Sequence, residues 1–349
     1  MLVEAMVEAR PDGEGRVASG ARTAAGAMCG AEELRAAPPP PDFMAFWAAE
    51  LEKLRALPPA AKRREMKLSD AESQGGKVRE WEVFAACTGP RPATGYVAAP
   101  RDARPKSVPI LLTCQDEDGI AAARAHPRAA AAIVVSPNKF GVPNGMTFVE
   151  WREKGYYARD VEGFAHKGSD SREGSFFKWM ILRDLRLLEY AKGLPEWNGE
   201  IYAVGEGLGA AQALAVAALD PAVRFVCAAS PALADLNGRR QGRRNGWPFL
   251  WRAREDGLPD SAEGEKASRA AQYVDVVNFC ASMKQPAEVW IGTVLGDERC
   301  PPEGAWAAHN ALPAAVERHL WHHVRAERGA GIPPGVRRLD ELLAKAAKR

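Results

Sequence analysis

The chain has 349 residues, 46% of them hydrophobic, which is enough for one large α/β domain or two ordinary ones with a substantial core. Its 47 basic residues against 45 acidic ones leave a formal net charge of +2, so electrostatics give no case for a nucleic-acid partner or an anionic membrane. No window approaches the roughly 20 apolar residues of a membrane span.

The opening MLVEAMVEARPDGEG lacks the apolar centre of a signal peptide. The chain therefore reads as soluble and, as given, cytoplasmic, with export not excluded where a leader has been removed. Residues 1–37 hold short apolar pieces around Val3-Glu4-Ala5 and Ala25-Gly26-Ala27-Met28-Cys29, read as two strands and a turn and as the remnant of a preceding β domain. Pro38 to Pro41 form a stiff spacer, and Asp42 is the expected N-cap of an amphipathic helix carrying Phe43, Phe46, Trp47, Leu51 and Leu54.

From Arg79 to Ala99 the pattern predicts a hairpin at a sheet edge, with Trp81 to Ala85 and Gly95 to Ala98 as its strands. Val108 to Thr113 and Ala131 to Val135 are continuous apolar runs, as in parallel strands buried on both faces, with a short helix expected between them. Further strands are expected at Ile201 to Val204, Phe225 to Ala229 and Val289 to Val294, and a helix over Phe176 to Leu194. This alternation predicts a doubly wound, mostly parallel α/β sheet with helices on both faces.

The six cysteines are widely spread, and Cys87, Cys114 and Cys227 lie in or beside strand-like runs, so they read as buried free thiols. His319, His322 and His323 cluster without a carboxylate or cysteine at ligand spacing, so no metal is expected, and no cofactor. Arg239, Arg240, Arg243 and Arg244 fall in one short loop and read as solvated.

One stretch carries chemistry. Ile201 to Val204 runs into Gly205-Glu206-Gly207-Leu208-Gly209-Ala210, followed by an alanine-rich helix to Leu219. A strand, a tight glycine turn and a helix serve two purposes. The nucleophile elbow G-x-S-x-G holds a strained serine at the sharp point. The dinucleotide fingerprint holds a pyrophosphate on backbone N–H groups at the helix start, and here it would use Gly205, Gly207 and Ala210. The dinucleotide reading lacks its acidic residue, since Ser230-Pro231 stands at the end of the next strand, and two strands already precede the motif.

Several stretches resemble the acetyl xylan esterase / cephalosporin-C deacetylase family of α/β-hydrolases: Pro41-Asp42-Phe43 with Phe46-Trp47, Gly141-Val142-Pro143-Asn144-Gly145, Trp197-Asn198-Gly199 and Asp220-Pro221. The likeness continues through Asn245-Gly246-Trp247-Pro248, Val277-Asn278-Phe279, Asp297-Glu298-Arg299-Cys300-Pro301-Pro302 and His309-Asn310-Ala311-Leu312-Pro313. It implies an α/β-hydrolase domain over residues 38–349 and a Ser-Asp-His triad that removes acetyl groups from sugars. It also implies a homo-oligomer, which would extend to pairing with an active paralogue.

Placed residue by residue, the family's serine falls on Gly207, its acid on Asp297 and its histidine on Ala326. The oxyanion and pocket positions fall on Cys114, Gln115, Glu206 and Leu208, with Phe140 where the family has a second histidine. Serine needs a base to take its proton, and that base needs an acid to hold it. The chain is therefore expected to be a pseudoenzyme with a carbohydrate-binding or assembly role, and Asp297 is expected to survive as a loop cap. Trp247, Phe249, Trp251 and Trp306 are candidates for stacking on a sugar, or for packing against an oligomer neighbour. A relocated nucleophile is the active alternative. Cys114 is the candidate thiol, but Asp116, Glu117 and Asp118 beside it favour its neutral form; Glu206 reads as a solvated residue at the pocket rim.

Overall fold

The computed structural model describes residues 2–6, 22–26, 28–58, 60–119, 121–285, 287–323 and 333–346. The two N-terminal strands are present as β1 (Leu2–Met6) and β2 (Arg22–Gly26), paired antiparallel, the second starting three residues before its expected span. Helix α1 (Phe43–Arg55) follows the proline spacer and buries Phe43, Phe46, Trp47 and Leu54. Asp42 precedes it but makes no side-chain cap; its carboxylate instead accepts from Arg172 at 2.6 Å and from the Tyr273 hydroxyl at 2.5 Å.

Then come β3 (Ala61–Glu65), β4 (Val78–Ala85), β5 (Ala93–Pro100), β6 (Val108–Cys114) and β7 (Ile133–Asn138). The expected hairpin is β4 and β5, but it is not the sheet edge, because β3 pairs antiparallel outside it. With burial confined to one half-buried alanine and four exposed charged residues after it, β3 carries no period-2 apolar signal. The helix expected between β6 and β7 is replaced by turns among the described residues.

The remaining elements are α2 (Phe148–Glu153), α3 (Phe176–Lys192), β8 (Trp197–Glu206), α4 (Leu208–Leu219), β9 (Val223–Ala229), α5 (Ala262–Ala271), α6 (Val276–Ala281), β10 (Glu288–Val294), α7 (Pro302–Ala311), β11 (Glu317–His323) and α8 (Pro334–Ala346). The main sheet has the order β11-β10-β9-β8-β6-β7-β5-β4-β3. β6 to β11 are mutually parallel, and the antiparallel arm of β5, β4 and β3 joins through β7.

Because side chains alternate across a strand, each central strand feeds two cores. Ile110, Leu112, Ile201, Ala203, Val226 and Ala228 pack with α1, α3, α4, α6 and α7 on one face. Leu111, Val134, Tyr202, Phe225 and Cys227 pack on the other against Leu339 and Leu343 of α8, with Ala129 and Ala132 of the turn segment. Apart from Gln212, α4 is apolar all round and, Ala218 excepted, buried all round, as a helix wedged between the sheet and other helices must be. The sheet thus fixes the carboxyl ends of β6, β8, β10 and β11 side by side, which is where ligands of open α/β sheets bind.

Candidate functional site

Strand β8 ends in the glycine turn. Gly207 has φ 54° and ψ −118°, a conformation open to glycine and costly for other residues. Its N–H donates to Ala229 O at 2.9 Å and its carbonyl accepts from Ala232 N at 2.9 Å, so the sharp point is pinned from both sides. The flanking glycines have a steric reason. A Cβ on Gly205 would lie 2.8 Å from Ala210 N, and one on Gly209 would lie 2.6 Å from the Cys114 carbonyl carbon. Strand β8, helix α4 and the end of β6 approach too closely for any side chain there.

The point of the elbow is filled. A Cβ on Gly207 would lie 2.5 Å from Asp116 Cγ and 2.7 Å from Oδ2, with Oδ1 nearer still. Asp116 Oδ1 accepts from Leu208 N at 3.0 Å and from Glu117 N at 2.8 Å. Leu208 is the residue after the nucleophile position, and its N–H is one of the two donors that an α/β-hydrolase aims at a developing oxyanion. Here that N–H is taken by a carboxylate from the loop after β6, the loop that supplies the second donor in such enzymes. The Asp116 carboxylate also lies where a pyrophosphate would approach the start of α4, which counts against the dinucleotide reading of Gly205, Gly207 and Ala210.

The other predicted positions sort as follows. Asp297, after β10, is 7% exposed, and its Oδ1 accepts from Arg299 N and Cys300 N, both at 2.9 Å. Its carboxylate thus closes the turn into α7. Ala326 lies outside the described residues. Cys114 is buried, and burial, with the Asp184 charge adding to it, holds its thiol pKa well above the usual range. The acids beside it in sequence are not the main cause. Gln115 is half-buried beside Gly119, and Glu206 is exposed.

Phe140 does not face the pocket. It is buried in an aromatic cluster, with ring centroids 5.1 Å from Phe164 and 5.5 Å from Phe176, and Trp247 joins the same cluster through Phe164 and Phe177. Trp251 is also spent on packing: it is 5% exposed and its Nε1 donates to Leu236 O and Asn237 Oδ1. Trp306 is half-buried with its ring edge-on to His309. Of the four stacking candidates Phe249 alone is exposed, at 47%, and it is held at φ 56°, unusual for a bulky residue. It lines a cavity of about 580 Å³ with Arg239, Arg252, Asn245 and Glu298, next to the Asp297 turn.

Two expectations about charged clusters change. Three of the four loop arginines are paired rather than solvated: Arg240 with Glu265 at 2.6 Å, Arg243 with Asp235 at 2.8 Å and Arg244 with Glu303 at 3.0 Å. His319 does have carboxylates near it, since it, Glu317 and Glu288 bring ligand atoms within 4.8 Å of one another. Glu288 is already held there by the Arg338 guanidinium at 2.9 Å, and the His319 ring stacks on Trp290 at 4.1 Å. Among the described residues no helix is long and apolar enough to cross a membrane.

A strand order of this kind, with a glycine-pinned elbow after β8 and an acid turn after β10, defines an α/β-hydrolase scaffold. The family model for acetyl xylan esterase (AXE1) matches residues 32–332, and the chain belongs to that family. It is 27% identical over 289 residues to the acetyl esterase Axe7A of Xylanibacter ruminicola, covering 80% of this chain and 61% of that protein's length. In fold it is similar to the acetyl xylan esterase from Paenibacillus sp. R4, with a TM-score of 0.68 and 19% identity over 90% of this chain and 98% of that one. Acetyl xylan esterase 1 from Thermoanaerobacterium sp. JW/SL YS485 gives the same TM-score and identity, over 90% and 97%.

Proposed function

We propose that this protein is a member of the acetyl xylan esterase family that binds an acetylated sugar chain without hydrolysing it. The observation that carries the proposal is the pair Gly207 and Asp116: no hydroxyl stands at the elbow, and a carboxylate occupies its place and one of its oxyanion donors. A substrate carbonyl would have to displace that charge to polarise, and an anion beside a developing anion raises the barrier instead of lowering it. Cys114 does not supply a substitute, because a buried thiol held protonated is a poor nucleophile.

Support for binding comes from the cavity beside the Asp297 turn, where exposed Phe249 offers an apolar face and Arg239, Asn245 and Glu298 offer donors and acceptors for hydroxyl groups. Assembly with copies of itself, or with an active paralogue, belongs to the same reading and is checked by light scattering of the purified chain. The test of function is acetate release from acetylated xylo-oligosaccharides, run beside calorimetric titration of the same ligands. Binding without acetate release is expected; sustained release by the unmodified protein would overturn the proposal.

A further inference from the structure

Two of the fastenings of the Asp116 loop differ in kind. On one side Lys139, just past the end of β7 and 4% exposed, donates its Nζ to the Asp116 backbone carbonyl. On the other, the Glu117 carboxylate pairs with Arg299 Nε at 2.6 Å, and Arg299 lies over the Trp247 ring at 5.3 Å. The first contact belongs to a buried amine that can lose its charge, the second to a guanidinium that stays charged.

We propose that Asp116 is a releasable plug, and that Lys139 is the strap whose charge decides whether the plug stays on the Leu208 N–H. This rests on reading Gly207 as a vacated nucleophile position. With the plug withdrawn, the Leu208 N–H becomes free to receive the acetyl carbonyl of a bound sugar.

The charges around Lys139 set the direction. Asp116, Asp118 and Cys114 face it from the end of β6 and its loop, and Asp184 faces it from α3, where Arg183 also donates to the Lys139 carbonyl at 2.7 Å. Burial draws the Lys139 ammonium down to about 8, against the pull of those acids. Burial pushes Asp184 up to about 7, opposed by its hydrogen bond from Gln212 and by Arg183 and Lys139. Raising the pH ionises Asp184 and discharges Lys139. Above that point the strap keeps only a neutral hydrogen bond, roughly half as strong as a charge-assisted one. Asp116, Asp118 and Asp184 lose one cation that they share, so their mutual repulsion rises. The plug is therefore seated at neutral pH and withdrawn in alkali.

The test follows the amide resonances of Leu208 and Glu117, which both donate to Asp116 Oδ1, by ¹H–¹⁵N correlation spectra between about pH 6 and pH 9.5, a range set by the ordinary spread of such titrations. Both are expected to move together with one midpoint near the value that burial gives Lys139. Gly207→Ala, whose methyl evicts the carboxylate, supplies the open-state reference. Lys139→Met should show the open shifts at every pH, and Lys139→Arg, which keeps its charge, should hold the closed ones. Flat amide shifts in the unmodified protein would overturn the proposal, whether or not Lys139→Met folds; so would closed shifts in Lys139→Met. Acetate release by the unmodified protein would sink the non-hydrolytic reading, whereas the strap is judged by these shifts alone.

Discussion

Two aspartates at the carboxyl edge of the sheet do similar backbone work in different settings. Asp297, which the family resemblance aligns with an acid, is buried and accepts from two consecutive main-chain donors in its own turn. Asp116 also accepts from two main-chain donors, but one of them, Leu208 N, belongs to the elbow and lies 92 residues away in sequence. The first carboxylate builds a turn whose shape the fold needs. The second fills a space that exists only because Gly207 has no side chain. A group with a structural duty in its own turn is legible where it stands, whereas a group that fills another element's space comes from elsewhere.

The contrast is sharpest in stability. Replacing Asp297 by alanine leaves two main-chain donors of a buried turn without an acceptor, and urea denaturation should show a loss of about 3 kcal/mol. Asp297→Asn keeps an acceptor oxygen and should lose much less. Comparable losses for both variants would show that the carboxylate's charge, not the capping of the turn, is what matters.

The elbow comes next in size. Gly207→Ser must adopt the strained backbone and expel Asp116, for a loss of roughly 2 kcal/mol. Combining it with Asp116→Gly should cost about 1 kcal/mol less than the sum of the two single changes, because each removes the other's clash. Strict additivity in that cycle would break the claim that the two residues share one space. The smallest effect is expected for Asp116→Ala, about 1 kcal/mol, since Asp116 is only half-buried and water can reach the donors it leaves.

Much of this architecture could be read from the residues. Continuous apolar runs marked β6, β8, β9 and β10, and the glycine spacing marked the elbow, because burial on both faces and close backbone approach leave few choices of residue. β3 and β11 went unread for the opposite reason: they are charged or histidine-rich edge strands with little to bury on either face. The helix expected after β6 does not form among the described residues, and short alanines of that turn segment, with α8, cover the sheet instead.

At the site, the glycine turn after β8 and a capping role for Asp297 were readable from the residues. The plug was not. The acids after β6 read as a replaced loop beside Cys114, and only the fold shows that one of them reaches across to Leu208 N. The usable signal was the coincidence of a glycine at the nucleophile position with an acid in the oxyanion loop. Aromatic residues misled in the same way, for sequence does not distinguish an indole that packs, such as Trp251, from a ring left open, such as Phe249.

Under the proposed function, nothing at this elbow attacks an ester. A pre-steady-state burst with an activated aryl acetate, read together with the steady rate, tests it without assuming which side chain would act, because a covalent catalyst whose acyl form accumulates releases one aryl alcohol per chain before turnover, and one whose acyl form does not accumulate raises the steady rate. No burst is expected, and a rate no greater than that of the Asp116→Ala/Gly207→Ala variant. A burst of one equivalent per chain, or a faster steady rate, would show that a side chain here does attack the ester.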